Sequence, residues 1–125
     1  MIICDTSVWI EYFRGRRPYL EKVGAYLERL EVLGMECIFG ELLQGAKGRQ
    51  ERSTIFKYWE VIPKMSEAGL WLEAGEYSAV QGLPSKGVGL IDAAIAVCTL
   101  KTEASLWTLD SKLSLLVPKK YLLST

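Results

Sequence analysis

Short apolar runs alternate along the chain with stretches of three- and four-residue hydrophobic spacing. Residues 1–4 are continuously apolar and stop at Asp5, which predicts a short buried strand. Thr6-Ser7 then offers N-cap chemistry, and residues 8–13 read as a helix stopped near Gly15. Leu20, Val23, Leu27, Leu30 and Leu33 trace one amphipathic helix ended by Gly34. Residues 35–39 read as a second short strand. A helix follows over 41–47, weakened by Gly45 and Gly48, and another over 52–59. Val61-Ile62-Pro63 reads as a brief extended piece. Helical spacing returns over 66–81 and ends at Gly82 and Pro84. Residues 91–100 are almost wholly apolar, which predicts a buried helix. Residues 105–109 form another strand ending at Asp110, and 113–123 a weak strand or turn around Pro118. Short buried strands alternating with helices predict a parallel sheet covered on both faces. The ligand crevice of such a sheet lies at the carboxyl ends of its strands.

Composition narrows the functions open to this pattern. The 125 residues have the size of one domain, spanning 1–125. Fifteen Lys and Arg balance fifteen Asp and Glu. A wholly basic nucleic-acid surface is excluded, so any nucleic-acid contact comes from local patches. There is no histidine, which removes His-ligated metals and His-activated Ser or Cys nucleophiles. Cys4, Cys37 and Cys98 sit in apolar stretches without zinc-site spacing, and predict buried free thiols in a reducing cytoplasm. The apolar run over 88–100 contains Asp92 and is too short to span a membrane.

The acids are distributed unevenly. Glutamates such as Glu21, Glu28, Glu51 and Glu73 fall on polar helix faces. The three aspartates do not: Asp5 and Asp110 close strands, and Asp92 opens the buried helix. Glu41 follows Cys37-Ile38-Phe39-Gly40, which places a fourth carboxylate after an expected strand. Capping or turn roles explain each acid singly, but not their shared placement. Carboxylates gathered at one sheet edge repel, by about 4 kcal/mol for two charges roughly 4 Å apart at an effective dielectric of about 20. A hard divalent cation, Mg²⁺ or Mn²⁺, relieves that repulsion through oxygen ligands. It also lowers the pKa of a bound water and stabilises phosphodiester oxygens. This is hydrolytic chemistry that needs no histidine.

These residues carry a family resemblance. Asp5-Thr6-Ser7-Val8-Trp9-Ile10-Glu11-Tyr12-Phe13-Arg14-Gly15 resembles the opening motif of PIN-domain ribonucleases, in particular the VapC toxins of type II toxin–antitoxin systems. Glu41-Leu42-Leu43-Gln44-Gly45 resembles their second motif, Gly87 through Ala96 the third, and Thr108-Leu109-Asp110 the last. The resemblance implies a three-layer α/β/α sandwich around a central parallel sheet. It implies an acidic pocket that binds Mg²⁺ or Mn²⁺ and endonucleolytic cleavage of RNA, usually tRNA or ribosomal RNA. Carried over by position, Asp5, Glu41, Asp92 and Asp110 become the catalytic and metal-binding acids. Thr6 and Thr108 become hydroxyls near the metal or phosphate. A homodimer and a cognate antitoxin are also implied. Many relatives carry a further acid or Asn near the last motif. Here Ser111 and Lys112 follow Asp110, and Lys112 either contacts a phosphate or partly neutralises Asp110.

Two basic clusters follow the first two motifs: Arg14, Arg16 and Arg17, then Lys47, Arg49 and Arg52. Both are expected at the edge that carries the acids, with Arg14, about two helical turns from Asp5, the leading substrate contact. Trp9, Trp59, Trp71 and Trp107 read as core or interface rather than base-stacking platforms. The absence of aspartate between Asp5 and Asp92 argues against a receiver domain with a mid-chain phosphoacceptor. Ser7, two positions after Asp5, argues against an aspartyl-phosphate phosphatase. The remaining alternative is a PIN-like domain that binds RNA or protein without cutting it.

Overall fold

Residues 1–124 are described by a computed structural model. Ile2, Ile3 and Cys4, all buried, form strand β1 (Ile2–Cys4). It pairs in parallel with β2 (Ser105–Trp107), with Ile2 opposite Ser105 and Cys4 opposite Trp107. Single parallel bridges widen the sheet: Ile2 with Val32, Gly34 with Lys64, and Leu106 with Leu122. The Leu33 N–H donates to the Ile2 carbonyl at 2.8 Å, Gly34 to Pro63 at 2.7 Å, and Leu123 to Leu106 at 2.8 Å. Across the sheet the order is Leu122, β2, β1, Val32–Gly34 and Lys64.

Among the described residues there are seven α-helices: α1 (Thr6–Phe13), α2 (Tyr19–Glu28), α3 (Glu36–Gln44), α4 (Arg49–Val61), α5 (Leu70–Val80), α6 (Leu90–Thr102) and α7 (Ser111–Ser114). Helix α1 packs on α2 and α3, α3 on α4, and α5 along α6. The α/β architecture with a parallel sheet is the one the apolar pattern predicts. Every residue of α6 from Ala93 to Thr99 is buried, and its small alanines allow close approach. The buried Thr99 hydroxyl donates to the Ile95 carbonyl at 2.8 Å, so it leaves no orphaned group.

Two expectations fail, and a third is met by turns rather than a strand. Residues 35–39 are helical, not a strand: Met35 is the extended residue before α3, and Cys37, Ile38, Phe39 and Leu42 form its buried side. A five-residue apolar run does not distinguish a strand from the inner face of a buried helix. Helix α2 ends at Glu28, five residues before Leu33. Leu30 adopts φ +56, and the Glu31 N–H returns to the Tyr26 carbonyl at 2.9 Å, closing a Schellman-type end. That early stop releases the following residues to join the sheet. The 113–123 segment is mostly helical turn, with α7 and a 3₁₀ turn over Lys119–Tyr121, and only Leu122 bridges the sheet.

Gly34 marks a close approach. A Cβ there would lie 2.7 Å from Ile62 Cδ1, so glycine lets the two extended segments pair. The three cysteines are free and buried. Burial pushes the Cys37 thiol up to about 12 and the Cys98 thiol up to about 11, which leaves neither a nucleophile at neutral pH. Among the described residues no helix is long and apolar enough to cross a membrane.

Candidate active site

The parallel register of β1 and β2 sets the first half of the site. Cys4 lies opposite Trp107, so the next residues, Asp5 and Thr108, leave the sheet side by side. The Asp5 N–H donates to the Trp107 carbonyl at 3.1 Å, fixing this junction. Asp5 is itself the N-cap of α1, accepting from the Val8 N–H at 3.2 Å. The cap assigned to Thr6-Ser7 from the sequence therefore belongs one position earlier.

Asp5 is only 6% exposed, and three groups besides the sheet hold it. Ser7 Oγ donates to its Oδ1, and Thr108 Oγ1 donates to its Oδ2. Ser7 Oγ also accepts the Leu109 N–H at 3.0 Å, and Thr108 Oγ1 accepts the Asp110 N–H at 3.0 Å. Two hydroxyls thus tie the loop after β1 to the loop after β2 through one carboxylate. Burial raises the Asp5 pKa above the ordinary aspartate value, and the hydrogen bonds from Ser7, Thr108 and Val8 oppose it without cancelling it.

Glu41 reaches the same region by a different route. It does not follow a strand, as the sequence suggested, but sits inside α3. Thr6 Oγ1 donates to Glu41 Oε1 at 2.7 Å, which links the start of α1 to α3. Asp92 is half-buried in the first turn of α6, behind Gly89 as N-cap. Asp110 is exposed and caps α7, accepting the Lys112 N–H on Oδ1 at 2.9 Å.

Asp92 is the acid on which the charges of the other three act. The Asp92 carboxyl pKa is raised first by burial, then by the charges of Asp110, Glu41 and Asp5, while Lys112 opposes them. Residues from four separate segments therefore share one field. The donor chemistry fits a hard divalent cation: all four are carboxylates, and no thiol or imidazole competes. Among the described residues, however, no three His, Cys, Asp or Glu side chains form a ready ligand set. Thr6 donates to Glu41 and Thr108 to Asp5, which fixes these two carboxylates.

A cleft of about 270 Å³ opens beside Thr6 and Glu41, between α1, α3 and α4. Arg14 and Lys47 line it together with apolar side chains that include Ile10, Phe13 and Ile55. Arg14 is 59% exposed and only loosely paired, 3.7 Å from Glu11. It shares the Glu11 carboxylate with Arg16, but Arg16 and Arg17 do not line the cleft. Arg16 pairs with Glu11 at 3.1 Å, and Arg17 with Glu21 at 3.6 Å. Arg49 and Arg52 do not line the cleft. Phe13 is fixed by Trp9, Tyr12 and Tyr58, at centroid separations of 5.6, 5.7 and 5.3 Å. Trp9 and Trp107 are core residues.

Sequence reasoning passed over Ser7 as a site residue. Its signal was the hydroxyl two positions after a strand-ending aspartate. The Thr6 and Thr108 hydroxyls, which the resemblance places near the metal or phosphate, donate to the carboxylates of Glu41 and Asp5.

No curated protein matches the chain. The family model of the PIN domain matches residues 2–116, which takes in all four acids and every element from β1 to α7. The chain belongs to the PIN domain family, whose members are generally metal-dependent nucleases.

Proposed function

We propose that this PIN domain is an endoribonuclease dependent on Mg²⁺ or Mn²⁺, and the toxin of a VapC-like toxin–antitoxin pair. One observation carries the reading: Asp92 feels Asp110, Glu41 and Asp5 together, against a single opposing lysine. Such an excess of charge is stabilised by a cation. Asp5, Glu41, Asp92 and Asp110 are the residues that hold it. The bound ion supplies a lowered water pKa and neutralises charge on the phosphodiester.

The protein's own groups do the rest. Ser7 and Thr108 orient Asp5, and Thr6 orients Glu41. Arg14, with Lys47 beside it, binds backbone phosphates of an RNA strand running along the cleft. The substrate is tRNA or ribosomal RNA, and the protein acts in the cytoplasm. A cognate antitoxin restrains it by covering the acidic site. Exposed Leu72 and Val80 on α5 support self-association as a homodimer.

One finding favours the rival reading, a PIN domain that binds RNA without cutting: the missing ready-made ligand set. Incubation with structured RNA separates the two. Cleavage is expected with Mg²⁺ or Mn²⁺ and none with EDTA. RNA that is bound but left intact under every metal condition would establish the rival.

A further inference from the structure

Lys112 stands where the acid pocket meets the turn that leads into α6. Its main chain is anchored, because its N–H donates to Asp110 Oδ1 at 2.9 Å. Its side chain folds back across the site. The Cβ position that Gly87 lacks is 3.0 Å from Lys112 Nζ and 3.9 Å from Cε. Gly87 has φ +74 and ends the 3₁₀ turn Leu83–Lys86, five residues before Asp92. Glycine therefore serves twice here: it takes the left-handed turn and leaves the space in which the ammonium lies.

The ammonium is close enough to Asp92 to favour its charged form. Yet among the described residues Lys112 makes no ion pair with a carboxylate, and its side chain is exposed. Its ammonium makes no ion pair with Asp110; what joins the two residues is the main-chain hydrogen bond to Oδ1. An ammonium has three donors, and these are held at the mouth of an acidic pocket without a fixed partner. The group that such a point charge recognises is an anionic oxygen.

We infer that Lys112 is a substrate-binding residue, its ammonium contacting a non-bridging oxygen of an RNA phosphate beside Asp92 and Asp110, in the space left by Gly87. This rests on the ribonuclease reading and names a contact within that same site. Mg²⁺ or Mn²⁺ then has one cation beside it that the chain itself provides.

The test is binding of a fluorescein-labelled single-stranded RNA to the full chain in EDTA, followed by anisotropy over a range of KCl concentrations. Lys112→Met is expected to weaken binding several-fold and to flatten the slope of log affinity against log salt by about 0.7, one phosphate contact on a single strand. Lys112→Arg keeps the charge and is expected to keep the slope. Lys101→Met removes the same charge about 13 Å along α6 from Asp92 and is expected to leave the slope alone. A Lys112→Met slope equal to wild type, or an equal loss in Lys101→Met, overturns the inference while leaving metal-dependent cleavage standing. A wild-type chain that neither binds RNA in EDTA nor cuts it with metal overturns both.

Discussion

Asp92→Asn is expected to lower RNA cleavage by at least roughly 10²–10³-fold, the scale on which one group that stabilises a transition state acts, and to raise the melting temperature by a few degrees in metal-free buffer. The two effects have one cause. Asp92 is held among three other acids, so its charge is costly until a cation is bound. Its place in the first turn of α6 is favourable to an anion, by roughly 0.3–1 kcal/mol. The direction of its pKa shift shows that burial and like charge outweigh that benefit. A carboxyl with a raised folded-state pKa binds its proton more tightly when folded. Its contribution to stability is therefore greatest below the unfolded pKa and is lost as pH rises through the folded pKa. Asparagine has no proton to lose and gains no charge, so the variant's advantage should grow as pH rises through that window. Cleavage assays and thermal melts at several pH values check both halves. A melting temperature that falls by many degrees would assign Asp92 a structural role instead.

Trp9→Ala is expected to cost about 3–5 kcal/mol of stability, the range for removing a large buried aromatic. Trp9 is 1% exposed and stacks on Phe13, and it meets Tyr12, Phe39 and Tyr58 edge-on at 5.2 to 5.9 Å. These partners stand on α1, α3 and α4, and the Tyr12 and Tyr58 hydroxyls lie 2.9 Å apart across the same cluster. One side chain thus fastens the helices that carry Thr6, Arg14 and Glu41. Domains of this size are stable by about 5–15 kcal/mol in total, so the variant should be largely unfolded well before wild type in urea. A loss below about 1 kcal/mol would mean that the cavity collapses or that these helices are held elsewhere.

The elements read correctly from the sequence were those with a single physical interpretation. Ile2-Ile3-Cys4 and the Leu106-Trp107 run, each leading to an aspartate, read as central strands and pair in parallel. The α6 segment is apolar all round and long enough that only a buried helix fits. The readings failed where two structures share one pattern. Leu30 and Leu33 continue the α2 spacing, and nothing in the residues announces that Leu30 takes a left-handed backbone. Cys37-Ile38-Phe39 has the length of a strand and the burial of a helix face. That error also gave a mistaken reason for singling out Glu41, which reaches its neighbours from within α3 rather than from a strand end. The Thr108 link to Asp5 and the Leu109 link to Ser7 join residues about a hundred positions apart, so they depend on the β1–β2 register and lie beyond local pattern.

The central claim is that Asp5, Glu41, Asp92 and Asp110 converge on one divalent cation. Anomalous diffraction from a crystal soaked in Mn²⁺ tests it directly. The account predicts a strong peak within coordination distance of the Asp92 carboxylate and at least one other of these acids, absent from an Asp92→Asn crystal soaked in the same way. No peak in the pocket, or a peak that persists with Asp92 replaced, would contradict it.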